Sequence, residues 1–259
     1  MPYVRAIIET TYFTCQESFY EAAYPYFRET KEVWCFSELS HEFFTAPEMY
    51  LKTIYNLEVK NGSARTGDIA KILKITPGSV TNTLEVLEGK GLVVREPYKG
   101  VNLTEQGRKL ALSVFRRHRL AERLLVDMLH MDWALSHEEA CRLEHSISDE
   151  VASSIQKKLD GPKTCPHGNP IPDENGNVEP TKNDALSSLG NGDMAVVSMI
   201  PDESTELLRY LATLGMVPGA KITVEEKAPF KGPMLVKVGE NSYPISLDVA
   251  SGIFVAKDK

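Results

Sequence analysis

The sequence predicts a mainly helical N-terminal half and a small all-β barrel of SH3-like kind at the C-terminus. Three observations carry the prediction. Between Pro47 and Thr104, three short amphipathic segments are followed by two alternating ones. Between Thr104 and Leu159 the helical periodicity continues with side chains dense in His, Glu and Cys. After Gly192, short β-rich runs separated by turn residues replace it.

In chain order, Met49, Ile54 and Leu57 recur near helical spacing with Leu51 and Tyr55 beside them, which gives a first helix starting near Pro47 and closed by the turn Lys60-Asn61-Gly62-Ser63. Arg65 to Leu73 forms a short second helix. After a break at Lys74-Ile75, Thr76-Pro77 opens a third, with proline suited to a helix's first turn and Val80, Leu84 and Leu87 as the buried stripe. Gly89-Lys90-Gly91 ends it. Leu92 to Arg95 and Val101 to Thr104 then alternate around Pro97-Tyr98-Lys99-Gly100 as a hairpin with a basic tip. Three helices and such a hairpin make a winged helix, a helix-turn-helix variant whose third helix enters the major groove of DNA.

Thr104 is placed to cap a long helix reaching about Met131, Ser136 a second and Ser148 a third that ends at Leu159. Gly161 to Ala185 loses all apolar period and reads as a linker. Beyond it, strands are expected at Met194–Met199, Lys221–Lys227, Met234–Val238, Asn241–Ile245 and Gly252–Ala256, with one helix at Glu203–Thr213. The domain plan is therefore an N-terminal extension (1–46), a winged helix (47–110), a helical domain (111–160), a linker (161–188) and a β domain (189–259).

The formal net charge of -7 would by itself argue against nucleic acid. Yet Pro47 to Arg123 holds 14 Lys and Arg against 8 Asp and Glu, so one basic module sits in an otherwise acidic chain, as expected when a single face meets phosphates. No stretch approaches the roughly 18 apolar residues of a membrane span, and no signal-type run opens the chain, so the expected compartment is the cytoplasm. Cys15, Cys35, Cys141 and Cys165 follow no repeating spacing, which argues against a disulfide framework and against paired CxxC zinc ligands.

On one helix from His137 to His145, the side chains of His137, Cys141, Glu144 and His145 project within an arc about 100° wide. A face expected to be apolar is instead rich in ligand atoms, and His118 and Glu122 add a pair at i, i+4 on the preceding helix. Such clustering is what a transition-metal site requires. An enzyme is not indicated: the residue four after His137 is Cys141, so HExxH is absent, and neither GxSxG nor GxxxxGK[ST] occurs. Cys165 and His167 stand two apart with no partner nearby in sequence and are read as packing rather than as ligands. On the third helix Ser79, Thr81, Asn82 and Thr83 are short polar side chains able to reach bases or phosphates; Lys99 on the wing and Arg65 at the second helix suit phosphates.

The motifs EMYLKTIY (48–55), RRHRLAERLL (116–125), HEEACRLEHSISDEV (137–151) and HGNPIP (167–172) resemble those of the diphtheria toxin repressor and iron-dependent regulator family, from about Pro47 to the C-terminus. The resemblance implies a homodimer whose helical domain dimerises, a palindromic double-stranded operator, a repressor of metal-uptake genes, and no membrane partner. It implies a primary metal site of Met49, Cys141, Glu144 and His145, and an ancillary site of His118, Glu122 and His137, to which Glu203 and Glu206 have the spacing to contribute. It points to Ser79, Thr81 and Asn82 for DNA, with Thr76 at the head of the same helix. Thiolate and thioether favour Fe(II), Co(II), Ni(II) or Zn(II) over Mn(II), and availability in the cell selects Fe(II). A manganese-responsive regulator and a metal-binding adaptor without DNA binding are the rival readings. Residues 1–46, rich in Tyr and Phe and holding His41, lie outside the resemblance, as an added element or as the product of a start codon assigned too far upstream.

Overall fold

The architecture is that of a computed structural model, described for residues 36–259 except 97, 98, 181, 182, 202, 203, 258 and 259, and for side chains from Pro47 onward. Cys15, Cys35, Glu203 and the side chain of His41 therefore lie outside the described residues. Residues 43–259 form one compact unit.

Helix α1 spans Phe36–Asn61, with Pro47 inside it rather than at its start as the sequence suggested. A proline removes one backbone donor but already has a helical φ, so a helix can continue across it at a local cost. Helices α2 (Thr66–Leu73) and α3 (Pro77–Gly89) follow, the latter capped by Thr76, whose side chain accepts from the Ser79 N–H. Strands β1 (Val93–Glu96) and β2 (Gly100–Leu103) pair antiparallel as the wing, and Ala64 exchanges both backbone hydrogen bonds with Val101 at its flank. Ile54, Ile69, Val80, Leu84, Leu87 and Val93 close one core beneath these elements. Glu58 locks the assembly: its carboxylate accepts from the Leu103 N–H and pairs with Arg108 at 2.6 Å.

Helix α4 (Glu105–Arg123) starts as expected, Thr104 accepting from the Gly107 N–H at 3.0 Å, and its α-helical part ends before a single π turn at Leu124–Met128. Helix α5 (Ser136–Leu143) is not capped by Ser136, contrary to the sequence reading. Asp132 accepts from the Ala134 and Leu135 N–H groups, and the buried Ser136 hydroxyl donates backwards to the Trp133 carbonyl. Helix α6 (Asp149–Lys158) is capped by Ser148 as expected. Leu120, Leu125, Ala140, Ala152 and Ile155 form a second core.

The presumed linker is no tether. Cys165, Pro166, His167, Gly168 and Asn169 are buried. Trp133 Nε1 donates to the Pro166 carbonyl at 3.0 Å, Arg123 Nε to the Thr164 carbonyl at 2.7 Å, and the Ile200 N–H to the His167 carbonyl at 2.9 Å. Composition missed this because Pro, Gly and Asn also serve where backbone packs closely on backbone. Beyond it lies a six-stranded antiparallel sheet in the order β3-β8-β4-β5-β6-β7. Its strands are β3 (Asp184–Ala185), β4 (Met194–Met199), β5 (Lys221–Lys227), β6 (Met234–Val238), β7 (Asn241–Ile245) and β8 (Phe254–Lys257). Helices α7 (Thr205–Thr213) and α8 (Leu247–Ser251) cover its third core, built on Leu208, Leu211, Val224 and Val236. Strands β4 to β7 fall where the sequence placed them, while the last strand and α7 each begin two residues later than expected.

Gly168 joins the helical part to the sheet. Its φ is +87°, and a Cβ there would stand 2.0 Å from the Ser198 carbonyl oxygen. Gly168→Ala is expected to destabilise the protein by about 3 kcal/mol or more, by strain at a positive φ together with a backbone clash. Thermal melting against the native chain checks this, and an unchanged midpoint would contradict the tight contact.

Candidate metal centre

Four pieces of chain converge on one polar cluster. Helix α4 supplies His118 and Glu122, one turn apart and both buried; α5 supplies His137 and Cys141; the residues ending α5 supply Glu144, fully buried, and His145. One turn of α1 supplies Glu48 and Lys52, with Met49 on the same turn, and the 165–167 segment supplies Cys165 and His167.

Glu122 Oε1 lies 3.1 Å from His118 Nε2, 3.2 Å from His167 Nδ1 and 3.4 Å from His137 Nδ1. The two imidazole nitrogens His118 Nε2 and His137 Nδ1 themselves face each other at 3.1 Å. Cys141 Sγ is 3.6 Å from His137 Nε2, and Cys165 Sγ is 4.0 Å from His167 Nδ1. On the other side of His118, Nδ1 meets Glu144 Oε2 at 2.6 Å; Glu144 also contacts His145 Nε2 at 3.3 Å and Lys52 Nζ at 2.7 Å. His145 Nδ1 is 2.6 Å from Glu48, which takes Arg117 at the same distance.

The sequence-derived residues are thus placed as follows. His118, Glu122 and His137 meet as expected. Glu144 and His145 touch each other, and the α1 turn bearing Met49 is tied to them through Glu48. Cys141 sides with His137 and His118, so the primary and ancillary sets that the resemblance kept apart share one cluster through His118. Glu206 is exposed on the first turn of α7 and forms no ion pair with these histidines among the described residues.

Glu48, Lys52 and Arg117 were not singled out in the sequence, and Cys165 and His167 were set aside as partnerless. The partner is Glu122, whose carboxylate falls with them in one group of donor atoms lying within 4.8 Å of one another. Nothing in spacing could show this, since Glu122 and His167 are 45 residues apart. For Glu48 and Lys52 a signal existed: both lie within one turn of Met49 on the same helix.

Imidazoles and thiolates with a carboxylate suit a divalent first-row transition-metal ion better than Mg²⁺ or Ca²⁺. His118, His137 and Cys141 form a second group within 4.8 Å. Glu122 Oε2 is buried with no hydrogen-bond partner among the described residues, an acceptor that a cation would satisfy. The residues fit such an ion.

The ionisation of the cluster follows from its contacts. Burial and the Lys52 ammonium oppose the charge on His118, but Glu122 and hydrogen bonds with Cys141 and Glu122 raise its pKa to about 10. Burial pushes the Cys141 thiol up, while hydrogen bonds and charge from His118 and His137 outweigh it and bring it down to about 6. Burial likewise works against ionised Glu122, Glu144 and Glu48; the histidines around Glu122, His118 and Lys52 at Glu144, and His145 and Arg117 at Glu48 hold all three below the ordinary carboxylate value.

On the winged helix, Ser79, Thr81 and Asn82 are exposed along α3, and Arg65 and Lys99 flank it. Thr81 and Thr83 hydroxyls donate to the Pro77 and Ser79 carbonyls, and Thr76 Oγ1 shares a hydrogen bond with Ser79 Oγ. Asn82 has no hydrogen bond among the described residues, so its amide is the group on this face with its donors and acceptor uncommitted. Lys99 pairs with Glu96 at 2.8 Å.

Ligand-bearing helices bonded directly to the first helix of a winged helix define a class of metal-dependent DNA-binding regulators. The comparisons place the chain within it. Residues 42–101 match the model of the iron dependent repressor N-terminal DNA binding domain, residues 104–173 that of the iron dependent repressor metal binding and dimerisation domain, and residues 185–257 the FeoA domain. The iron-dependent repressor IdeR of Mycobacterium tuberculosis strain H37Rv is 37% identical over 231 residues, covering 84% of this chain and 99% of that protein. The crystal structure of T. acidophilum IdeR superposes with a TM-score of 0.69 at 34% identity, over 82% of this chain and 97% of the other. A manganese-dependent transcriptional repressor in complex with manganese does so with a TM-score of 0.74 at 30% identity, over 82% and 100%. The chain belongs to the diphtheria toxin repressor and iron-dependent regulator family of metal-dependent transcriptional regulators. Family and fold class therefore stand as the sequence indicated. Among the described residues no helix is long and apolar enough to cross a membrane.

The thiol gives a prediction for the metal-free protein. Its pKa is depressed, so the thiolate persists above about pH 6 and is lost below it. Alkylation of Cys141 by iodoacetamide, followed by peptide mass spectrometry, should show a rate with its midpoint near pH 6. His118→Ala should move that midpoint upward. A midpoint at an ordinary thiol pKa of about 8.5 would contradict the imidazole contacts.

Proposed function

We propose that this chain is a cytoplasmic, homodimeric transcriptional repressor of metal-uptake genes that grips a palindromic operator when a divalent metal, Fe(II) in the cell, is bound. The observation that carries the reading is the direct tie between α1 of the winged helix and the ligand cluster, Glu48 to His145 and Lys52 to Glu144. Whatever repositions those side chains also repositions the DNA-binding unit.

Met49, Cys141, Glu144 and His145 are the primary ligands in this reading; His118, Glu122 and His137 are the ancillary ones, with Cys165 and His167 as further donors beside Glu122. When bound, a divalent ion supplies charge and a fixed coordination geometry that replaces mutual hydrogen bonding among these groups. Glu48 accepts from His145 Nδ1 and so holds Nε2 toward Glu144, the outer-shell role that orients a ligating imidazole. Cys141 needs little deprotonation at neutral pH, whereas His118 must give up a proton before either nitrogen can act as a ligand. Asn82 is the base reader; Ser79, Thr81, Thr83 and Thr76 line the same face once their hydroxyls exchange partners, and Arg65 and Lys99 take phosphates.

Manganese is the second reading, favoured by the solved repressor complex with manganese at 30% identity. The sulfur donors Cys141 and Met49 argue for Fe(II), and Co(II), Ni(II) or Zn(II) should substitute in vitro.

Anaerobic fluorescence anisotropy on DNA from upstream of metal-uptake genes, at fixed salt, tests the proposal with chelator, Fe(II) and Mn(II) in parallel. Tight binding is expected with Fe(II) and not with chelator. Cys141→Ala should abolish the metal response without unfolding the chain, and His118→Ala should weaken it about 10-fold to 100-fold. Asn82→Ala should cost about 10-fold in DNA affinity while leaving metal affinity unchanged. Binding equally tight without metal would refute the switch; response to Mn(II) alone would transfer the protein to the manganese reading; no DNA binding under any condition would favour a metal-binding adaptor.

A further inference from the structure

A cation already sits on the central carboxylate of the metal face. Lys52 Nζ lies 2.9 Å from Glu144 Oε1 and 2.7 Å from Oε2, a two-pronged contact across 92 residues of sequence. The lysine side chain is 13% exposed and the carboxylate 0%. Its ammonium also lies 5.4 Å from the centroid of the Phe115 ring, so α4 covers it from the side. A lysine at a helix surface ordinarily buries its stem and keeps its head in water. This one aims its head inward, on the α1 turn that carries Met49 and Glu48.

We propose that Lys52 is a resident counter-cation of the metal centre: it neutralises Glu144 and latches α1 to the end of α5 in the metal-free protein, and its ammonium must leave that carboxylate for a metal ion to use it. The inference rests on the reading of Glu144 as a metal ligand. Both oxygens of Glu144 are engaged by Lys52, and Oε2 also by His118, so a metal ion using either oxygen would have to share it with the ammonium while the lysine stays. An ammonium and a divalent ion on one carboxylate would sit close enough to repel strongly even under partial screening. The two cations are therefore alternatives. Each ties α1 to the same corner of the helical core, but from a different residue of the α1 turn, Lys52 in one case and Met49 in the other. The metal-free protein is thus held in a position of its own, and the strength of the lysine contact sets how much metal is needed to replace it.

The test uses the full-length chain, purified anaerobically, with Co(II) as the probe. Its affinity is read from thiolate-to-Co(II) absorption in competition with a chelator of known strength. Lys52→Leu, which has no ligand atom, should bind Co(II) about tenfold or more tighter than the native chain, and Lys52→Gln should shift in the same direction. Lys52→Arg, which keeps the charge, should stay close to native. Metal-free Lys52→Leu should melt below the native chain, because the buried Glu144 loses its ammonium and keeps only the His118 and His145 contacts, and the deficit should close when Co(II) is added. Equal or weaker Co(II) affinity in both neutral variants would overturn the latch. Glu144→Gln separates this from failure of the underlying reading: if the native chain gives the absorption band and this variant gives the same band at the same affinity, Glu144 is not a ligand and both ideas fall together.

Discussion

A carboxylate with no exposure to water, Glu144, governs how the helices of this protein meet. An unpaired charge in that position would be prohibitively costly, so the fold must bring compensating groups to it. It does so from three directions: Lys52 from α1, His118 from α4 and His145 from the end of α5. Glu122 repeats the arrangement on the other side of the His118 ring, with His118, His137 and His167 around one of its oxygens. The result is a continuous line of paired groups, Lys52, Glu144, His118, Glu122 and His167, from the winged helix through α4 to the segment under the sheet. At its far end the His167 carbonyl accepts from the Ile200 N–H just beyond β4.

This line specifies position more than it supplies stability. Three separate apolar cores hold the winged helix, the helical layer and the sheet together on their own terms, and none of them runs across all three parts. Some apolar side chains cross, Ala111 into the winged-helix core, Trp133 and Ala134 into the sheet core, and Tyr55 against Phe115, but the directional ties between the parts are polar: Glu58 with Arg108 and Leu103, Glu48 with Arg117 and His145, Trp133 with Pro166 and His167. Apolar contacts are non-directional and tolerate sliding, whereas hydrogen-bonded charge pairs have one register. That division, with cohesion inside each part and registry between them, is what the proposed metal switch would need.

The sequence made the winged helix and the β domain legible because both obey local rules. Val80, Leu84 and Leu87 announce α3 by period, Thr76-Pro77 by capping, and β4 to β7 by alternation between turns. The candidate ligands of α4 and α5 were legible for the same reason, since His118 and Glu122, or His137 and Cys141, are helical neighbours. Everything that depends on chain segments meeting at a distance was not. Lys52 was not singled out because its carboxylate partner, Glu144, lies 92 residues away. The run Thr164 to Ile171 looked like a linker because its prolines, glycine and asparagine are the residues of loops. Here the same residues let the backbone lie against Trp133 and Ser198, and only the packing distinguishes the two uses. Ser136 misled for a subtler reason: a serine at the start of a helix suits a cap, but here Ser136 lies inside the first turn and its buried hydroxyl donates to the Trp133 carbonyl, while Asp132 holds the turn before the helix.

The two buried carboxylates can be compensated in two ways, and these differ in what the chain must give up. Without metal, protons and an ammonium provide the positive charge: His118 is held protonated between Glu122 and Glu144, and Lys52 closes the outer end. Cys141 is already largely ionised at neutral pH because those same imidazoles stand beside it. In the reading proposed here, a cation entering the cluster finds the thiolate ready and has to displace a proton from His118 and a lysine from Glu144. Deprotonating a thiol, the step that ordinarily makes thiolate sites sensitive to pH, is mostly complete before binding begins. Sensitivity to proton concentration in the neutral range is thereby moved from the sulfur to the imidazole that links the two carboxylates. Because His118 touches both, a change of partner there is felt at Glu144 and at Glu122 together, and through them at α1 and at the segment that carries the sheet.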